Sequence, residues 1–201
     1  MTREKIKLPI PVIVEGRYDK SKLAEFLDCQ IIATNGFGIF NHKEKLALIK
    51  RLSENGVVVL TDSDGAGGVI RGHLKSALPK DKVFNLYIPK IEGKEKRKKT
   101  ASKEGTLGVE GMETDLLYNL FSDFADKHIF GGDSRNVGGI TKADFFEVGM
   151  TGSDGSVKRR NEMAEYFGLP SDMTPNALLG ALNLLTDKNG FFSAAESLWK
   201  K

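Results

Sequence analysis

The chain has 201 residues, of which 40% are hydrophobic and 28% charged, and its formal net charge is +3. This composition is typical of a soluble globular protein with one medium domain or two small ones. The single cysteine excludes a disulfide framework and a cysteine-rich metal site. Because no apolar run approaches the roughly 18 residues of a membrane span and the N-terminus lacks a signal-peptide pattern, we expect a cytoplasmic protein.

The first part of the chain alternates strand-like and helix-like segments. Short apolar, β-branched runs predict four strands, and apolar residues at helical spacing predict a helix after each of the first three. This order, with continuously apolar strands, is typical of a parallel sheet covered by helices. The predicted strands lie within 11–16, 30–36, 57–68 and 82–89, and the predicted helices span 20–27, 43–56 and 69–78.

A long loop rich in lysine and glycine follows over residues 90–109. Its stretch from Lys90 to Lys103 holds seven basic and two acidic residues, a net charge of +5, so the rest of the chain is close to −2. Such a cluster suggests a polyanion partner, and a solvated lysine loop is an equally good interpretation. The basic residues are Lys90, Lys94, Lys96, Arg97, Lys98, Lys99 and Lys103, and a smaller cluster includes Arg159 and Arg160.

The pattern of apolar residues in the sequence changes after a glycine-rich segment, GGDSRNVGG, at 131–139. Beyond it the chain reads as short helices, with a weak capping box at Thr141 and a helix start at Thr174 before a proline. We therefore predict an α/β domain over 1–130, a linker over 131–140 and a small all-α domain over 141–201.

Three carboxylates follow predicted strands. Glu15 comes after the first strand, and Asp62 and Asp64 come after the third. If these strands are neighbours, the three side chains converge at one edge of the sheet, where parallel α/β sheets bind ligands. Hard oxygen ligands of this kind suit Mg²⁺ or Mn²⁺. The alternative is that the two aspartates only cap the next helix.

These residues resemble the two signature elements of the Toprim domain, namely VIVEGRYD from Val12 onward and VVVLTDSDGAG at 57–67. More narrowly, TNG at 34–36, IPK at 88–90 and GTLGVEGM at 105–112 resemble the ribonuclease M5 family, the endonucleases that mature bacterial 5S ribosomal RNA. The ITKADFFEVGMTG and RRNEMAEYFGL stretches resemble its C-terminal helical domain, so the resemblance spans nearly the whole chain. It implies a Toprim-like parallel sheet flanked by helices, followed by a small all-α domain.

The resemblance also implies roles for the site residues. Glu15 would be a metal ligand or a general acid/base, and Asp62 and Asp64 would bind one or two Mg²⁺ ions, with Mn²⁺ as a substitute. Glu110 would add a fourth carboxylate, and an equally good alternative is a glutamate at a helix N-terminus favoured by the dipole. Asp19 would orient Arg17 or a helix start rather than bind metal.

The implied reaction is metal-dependent hydrolysis that trims precursor 5S ribosomal RNA, presented by the 5S-binding ribosomal protein of the large subunit. The basic loop 90–103, Arg17, Asn35, Arg159 and Arg160 would contact the RNA, although Asn35-Gly36 is also an ordinary turn. We expect a monomer in the absence of these partners. The alternatives are another small Toprim nuclease acting on DNA, and a non-catalytic Toprim module that binds nucleic acid.

Overall fold

The computed structural model describes residues 3–35, 43–62, 65–95, 105–130 and 139–199. The chain divides into two compact units, Met1–Ser122 and Asp123–Lys201. The domain boundaries placed at 130 and 140 from the sequence stay a prediction, and residues 131–138 of the proposed linker lie outside the described residues.

A four-stranded parallel sheet forms the centre of the first unit. Its strand order is β4-β2-β5-β6, and a separate parallel pair joins β1 to β3. The four strands predicted from the sequence are confirmed, whereas the short pair was not foreseen. The strands are β1 (Ile6–Lys7), β2 (Val12–Val14), β3 (Leu27–Asp28), β4 (Ile31–Ala33), β5 (Val57–Leu60) and β6 (Val83–Leu86).

Helices follow β2, β4 and β5 as predicted, but two of them begin early. α1 spans Arg17–Ala24, α2 spans Lys43–Leu52 and α3 spans Gly65–Ala77, and a further helix, α4, covers Thr114–Ala125. α1 begins three residues before the predicted start because Asp19 caps it, its Oδ2 accepting the Gly16 N–H at 2.8 Å. α3 begins at Gly65, four residues before the predicted start at residue 69.

The two central strands are fully buried. Every residue of β2 and β5 has no exposed surface, as expected for strands covered on both faces. Ile13, Val57 and Val59 pack with Ile70 and Leu74 of α3 in one cluster. Burying each such side chain stabilises the fold by about 1.5–3 kcal/mol. The residues that follow β2 and β5 are therefore held on a rigid base.

In the part that the structure describes, the regular elements of the second unit are helices, as predicted. The N-caps at Thr141 and Thr174 are both confirmed, and each side chain accepts a backbone N–H at 3.3 Å. Phe145 and Phe191 stack at its centre with ring centroids 5.7 Å apart. No helix among the residues that the structure describes is long and apolar enough to cross a membrane. The helices are α5 (Lys142–Glu147), α6 (Ser156–Tyr166), α7 (Pro175–Leu185) and α8 (Lys188–Trp199), after a π-helical turn, Asp126–Phe130.

Candidate active site

Two of the three carboxylates predicted to converge at the sheet edge, Glu15 and Asp62, lie together there. β2 and β5 are adjacent, with Ile13 opposite Val59, so Glu15 and Asp62 leave the sheet side by side. Both line one pocket of about 180 Å³. Asp64, the third predicted member, lies outside the described residues. The remaining lining residues are Gly16, Tyr18, Asp19, Glu95, Gly108 and Glu110.

The end of β4 fixes the backbone of Glu15. The Glu15 carbonyl accepts the Asn35 N–H at 2.8 Å and the Thr34 hydroxyl at 3.1 Å. Asn35 has a φ of 52°, in the left-handed region that asparagine tolerates better than most residues. Asn35 is exposed at this edge of the sheet. Its backbone holds the residue that follows β2, and contact of its side chain with RNA stays a prediction.

Asp62 is held by close backbone approaches that only glycine permits. Its Oδ1 accepts the Val109 N–H at 2.8 Å. A Cβ on Gly108 would lie 2.4 Å from Asp62 Oδ2, and a Cβ on Gly67 would lie 2.1 Å from the Asp62 carbonyl oxygen. Both distances are shorter than any real Cβ contact, so a side chain at either glycine would displace Asp62.

Glu95 is a site residue that the sequence reasoning missed. The sequence analysis counted it only as one of two acidic residues between Lys90 and Lys103, but it is 3% exposed and lines the pocket. Its Oε1 accepts the Gly108 N–H at 3.1 Å. The amides of Gly108 and Val109 therefore donate to two different carboxylates, Glu95 and Asp62. The one available signal was an acidic residue among lysines, close in sequence to the GVEGM motif.

Backbone pairing at the base of the loop places Glu95. Glu92 and Thr106 form an antiparallel bridge, the Gly93 N–H donates to the Gly105 carbonyl at 2.9 Å, and the Leu107 N–H donates to Ile91 at 2.8 Å. The two ends of the loop therefore lie side by side at the pocket, whereas 96–104 lies outside the described residues.

Glu110 and Asp19 complete the acidic lining. Glu110 is half-buried in a 3-10 turn, Val109–Gly111, that precedes α4. Asp19 holds the start of α1, the second of the two roles expected for it. Within the described ranges, no three His, Cys, Asp or Glu side chains are grouped closely enough to hold a metal ion. Because Asp64 lies outside those ranges, metal binding by Glu15, Asp62, Asp64 and Glu110 stays a prediction.

The predicted RNA contacts near this pocket are exposed where the structure describes them. Arg17 lies on α1 and packs over the ring of Tyr18 at 4.7 Å, with its guanidinium donating to the Tyr18 hydroxyl at 2.7 Å. Lys90 and Lys94 are exposed on the described part of the loop. The other predicted loop contacts lie outside the described residues, namely Lys96, Arg97, Lys98, Lys99 and Lys103.

The two arginines of the helical unit have internal partners. Arg159 donates to the Val148 carbonyl and Arg160 to the Met150 carbonyl, both at 2.6 Å. Arg159 also lies over the Trp199 ring at 5.0 Å, beside a pocket of about 320 Å³. Their guanidinium groups thus fix the loop between α5 and α6, and their contact with RNA stays a prediction.

Comparison with known proteins gives the family. No family model matches the chain. Ribonuclease M5 of Borreliella burgdorferi is 33% identical over 183 residues, which cover 87% of this chain and 94% of that protein. Ribonuclease M5 of Fusobacterium nucleatum subsp. nucleatum is 33% identical over 167 residues, 82% of each chain. A solved small TOPRIM domain protein from Bacillus stearothermophilus superposes with a TM-score of 0.39 and 22% identity, over 60% of this chain and 86% of that one. On the identity and coverage of the two enzymes, the chain belongs to the ribonuclease M5 family.

Proposed function

We propose that this protein is a metal-dependent endoribonuclease that trims precursor 5S ribosomal RNA. Family membership supports a ribonuclease. The structural observation that carries the proposal is the meeting of Glu15 and Asp62, from the ends of two neighbouring central strands, in one acid-lined pocket. Ligand sites of parallel α/β sheets lie at this position, outside the carboxyl ends of the strands.

The chemistry of the pocket fits a divalent cation. Its acidic groups are all carboxylates, which are the hard oxygen ligands that Mg²⁺ and Mn²⁺ prefer. The absence of a side chain at Gly108 keeps the space beside the Asp62 carboxylate open. Glu15, Asp62 and Asp64 would hold the ion or ions, and Glu110 would complete the set. A bound Mg²⁺ supplies polarisation of the scissile phosphate and a lower pKa for the attacking water.

Hydrogen bonds within the protein hold Asp62 and Glu15 in place. The Val109 N–H fixes Asp62 Oδ1, and the hydrogen bonds from Thr34 and Asn35 fix the backbone of Glu15. A carboxylate held in this way can accept a proton from water at the edge of the sheet. Lys90, Lys94 and the rest of the basic loop would neutralise phosphates, which makes RNA affinity fall as salt rises.

Selectivity for a 5S precursor would come from the arrangement of two domains on a shaped RNA. Double-stranded RNA is recognised mostly through its shape and backbone, since its deep major groove hides the base edges. We assign catalysis to residues 1–130 and positioning of the RNA, or of the ribosomal protein bound to it, to the helical domain over 141–201. Arg159 and Arg160 are the basic residues of that domain proposed to lie towards the ribonucleoprotein.

The test is cleavage of a 5S precursor, bound to its ribosomal protein, by the wild type, Asp62→Asn and Asp81→Asn. Asp81 is an exposed aspartate of the same unit outside the pocket and serves as the matched control. We expect discrete trimming that EDTA abolishes, a rate at least about a hundredfold lower in Asp62→Asn, and an unchanged rate in Asp81→Asn. Cleavage by Asp62→Asn at the wild-type rate would exclude this site. Binding without cleavage by the wild type would instead favour a non-catalytic nucleic-acid-binding module.

A further inference from the structure

Arg71 contacts the backbone just after β5, next to Asp62, and neither the motifs nor the family name assigns it a role. It lies on α3, and its guanidinium reaches back to the end of β5, where it donates to the Thr61 hydroxyl, to the Thr61 carbonyl at 3.4 Å and to the Asp62 carbonyl at 3.3 Å. Thr61 has no exposed surface. The β5–β6 ladder ends at the Leu60–Leu86 pair, so these carbonyls lie just beyond the sheet's own hydrogen bonds.

The surroundings of Arg71 fix the orientation of its guanidinium. The Tyr87 ring, which follows β6, lies 5.0 Å from the guanidinium carbon, close enough for a cation–π contact. Burial raises the pKa of the Tyr87 hydroxyl, and the positive charge of Arg71 opposes this by a smaller amount. One nitrogen of the guanidinium, Nη1, makes all three bonds while the group lies over the Tyr87 ring, and a lysine ammonium lacks the planar group that stacks on an aromatic ring.

The first turn of α3 meets the same strand end. The Thr61 hydroxyl donates to the Gly67 carbonyl at 3.3 Å, and Gly67 approaches the Asp62 carbonyl so closely that no Cβ fits between them. The Arg71 side chain thus adds hydrogen bonds to a strand end that α3 already contacts through Gly67. Removal of the Arg71 side chain would leave the carbonyls of buried Thr61 and half-buried Asp62 with fewer hydrogen-bond donors, so the strand end would be less firmly held.

We propose that Arg71 is a positioning residue for the reaction, because it holds the Thr61–Asp62 backbone and so places the Asp62 carboxylate in the acidic pocket. This rests on the proposed function. In this role, Arg71 acts through the position of Asp62 and not through contact with the RNA.

The test compares Arg71→Lys and Arg71→Met with Lys75→Met, which removes a positive charge from an exposed position one turn further along the same helix. Binding of Mn²⁺ alone, measured by electron paramagnetic resonance without RNA, is the readout that does not depend on activity. Thermal melting reports folding, and the rate and KM of cleavage are measured in parallel. We expect both Arg71 variants to bind Mn²⁺ about tenfold more weakly and to cleave more slowly with an unchanged KM for RNA. Lys75→Met should match the wild type.

The outcomes separate this proposal from the proposed function. If Arg71→Lys stays folded and both binds Mn²⁺ and cleaves as the wild type does, Arg71 serves stability alone and the proposal is overturned, even where Arg71→Met unfolds. If the Arg71 variants lose Mn²⁺ affinity but the wild type does not cleave the 5S precursor, the positioning role holds and the proposed substrate is wrong. If the wild type does not bind Mn²⁺, the metal site and the role of Arg71 both fail.

Discussion

Replacing Gly108 by alanine tests whether the pocket depends on the close approach of backbone to carboxylate. Gly108 has a φ of −85°, which any residue adopts, so the substitution adds no backbone strain. The new Cβ would lie 2.4 Å from Asp62 Oδ2 and 2.7 Å from Oδ1, whereas real Cβ contacts are not shorter than 3.0 Å and are seldom shorter than 3.4 Å. The carboxylate or the 108–109 backbone must therefore move by roughly 0.6–1 Å.

A displacement of about 1 Å at a reacting centre can lower the rate about a hundredfold, and the overpacking itself costs about 1–3 kcal/mol of stability. We expect Gly108→Ala to remain folded and to lose single-turnover cleavage of the 5S precursor on that scale. Gly72→Ala is the matched control, because Gly72 lies on α3 and a methyl group there would have nothing within 4 Å. That variant should gain about 0.5–1 kcal/mol of stability and keep full activity. Wild-type cleavage by Gly108→Ala would refute the inferred contact with Asp62.

Two further predictions follow from buried carboxylates. Glu95→Gln should leave the fold intact but lower cleavage about tenfold, because a neutral amide is a weaker acceptor for the Gly108 N–H, whereas the exposed Glu92→Gln should match the wild type in the same assay. Asp144 in the helical unit has a pKa below its ordinary value, chiefly because Lys188 donates a hydrogen bond to it at 2.8 Å. Lys188→Met should therefore lower the melting temperature at neutral pH. The difference from the wild type should disappear at low pH, once the pH has fallen below 3.8 and then below the lowered pKa of Asp144 in the folded protein, because Asp144 is then protonated. A melting difference that is the same at every pH would exclude this ion pair as its cause.

The parts of the site that the sequence predicted are those set by local pattern. The uninterrupted apolar runs around Ile13 and Val59 indicated central parallel strands, and such strands bring their carboxyl ends to one edge. The convergence of Glu15 and Asp62 followed from that argument and is confirmed. The caps at Thr141 and Thr174 were equally local and are also confirmed.

The parts that the sequence did not predict depend on contacts between distant residues. β1 and β3 have two residues each and are held by long-range pairing, such as the Ile6 N–H to the Phe26 carbonyl at 2.9 Å, which leaves no periodic signal. The early start of α3 runs through glycines of low helix propensity, and packing against Asp62 overrides that propensity. Glu95 contacts the turn at Gly108, thirteen residues further along the chain. The basic residues around Glu95 in the sequence therefore gave no indication that it is buried.

The residues that line the pocket are far apart in the sequence, from Glu15 to Glu110, and this affects when activity arises as the chain is synthesised. Glu15 and Asp62 emerge from the ribosome well before the turn at Gly108–Glu110 that contacts Asp62 and supplies another carboxylate. A nascent or prematurely terminated chain that ends before this turn contains both Glu15 and Asp62 but lacks the Val109 amide that holds the Asp62 carboxylate. Since domains generally fold as units, such fragments should be inert towards the RNA-rich ribosome surface on which they are made. We therefore expect nuclease activity only after the turn at Gly108–Glu110 has been synthesised.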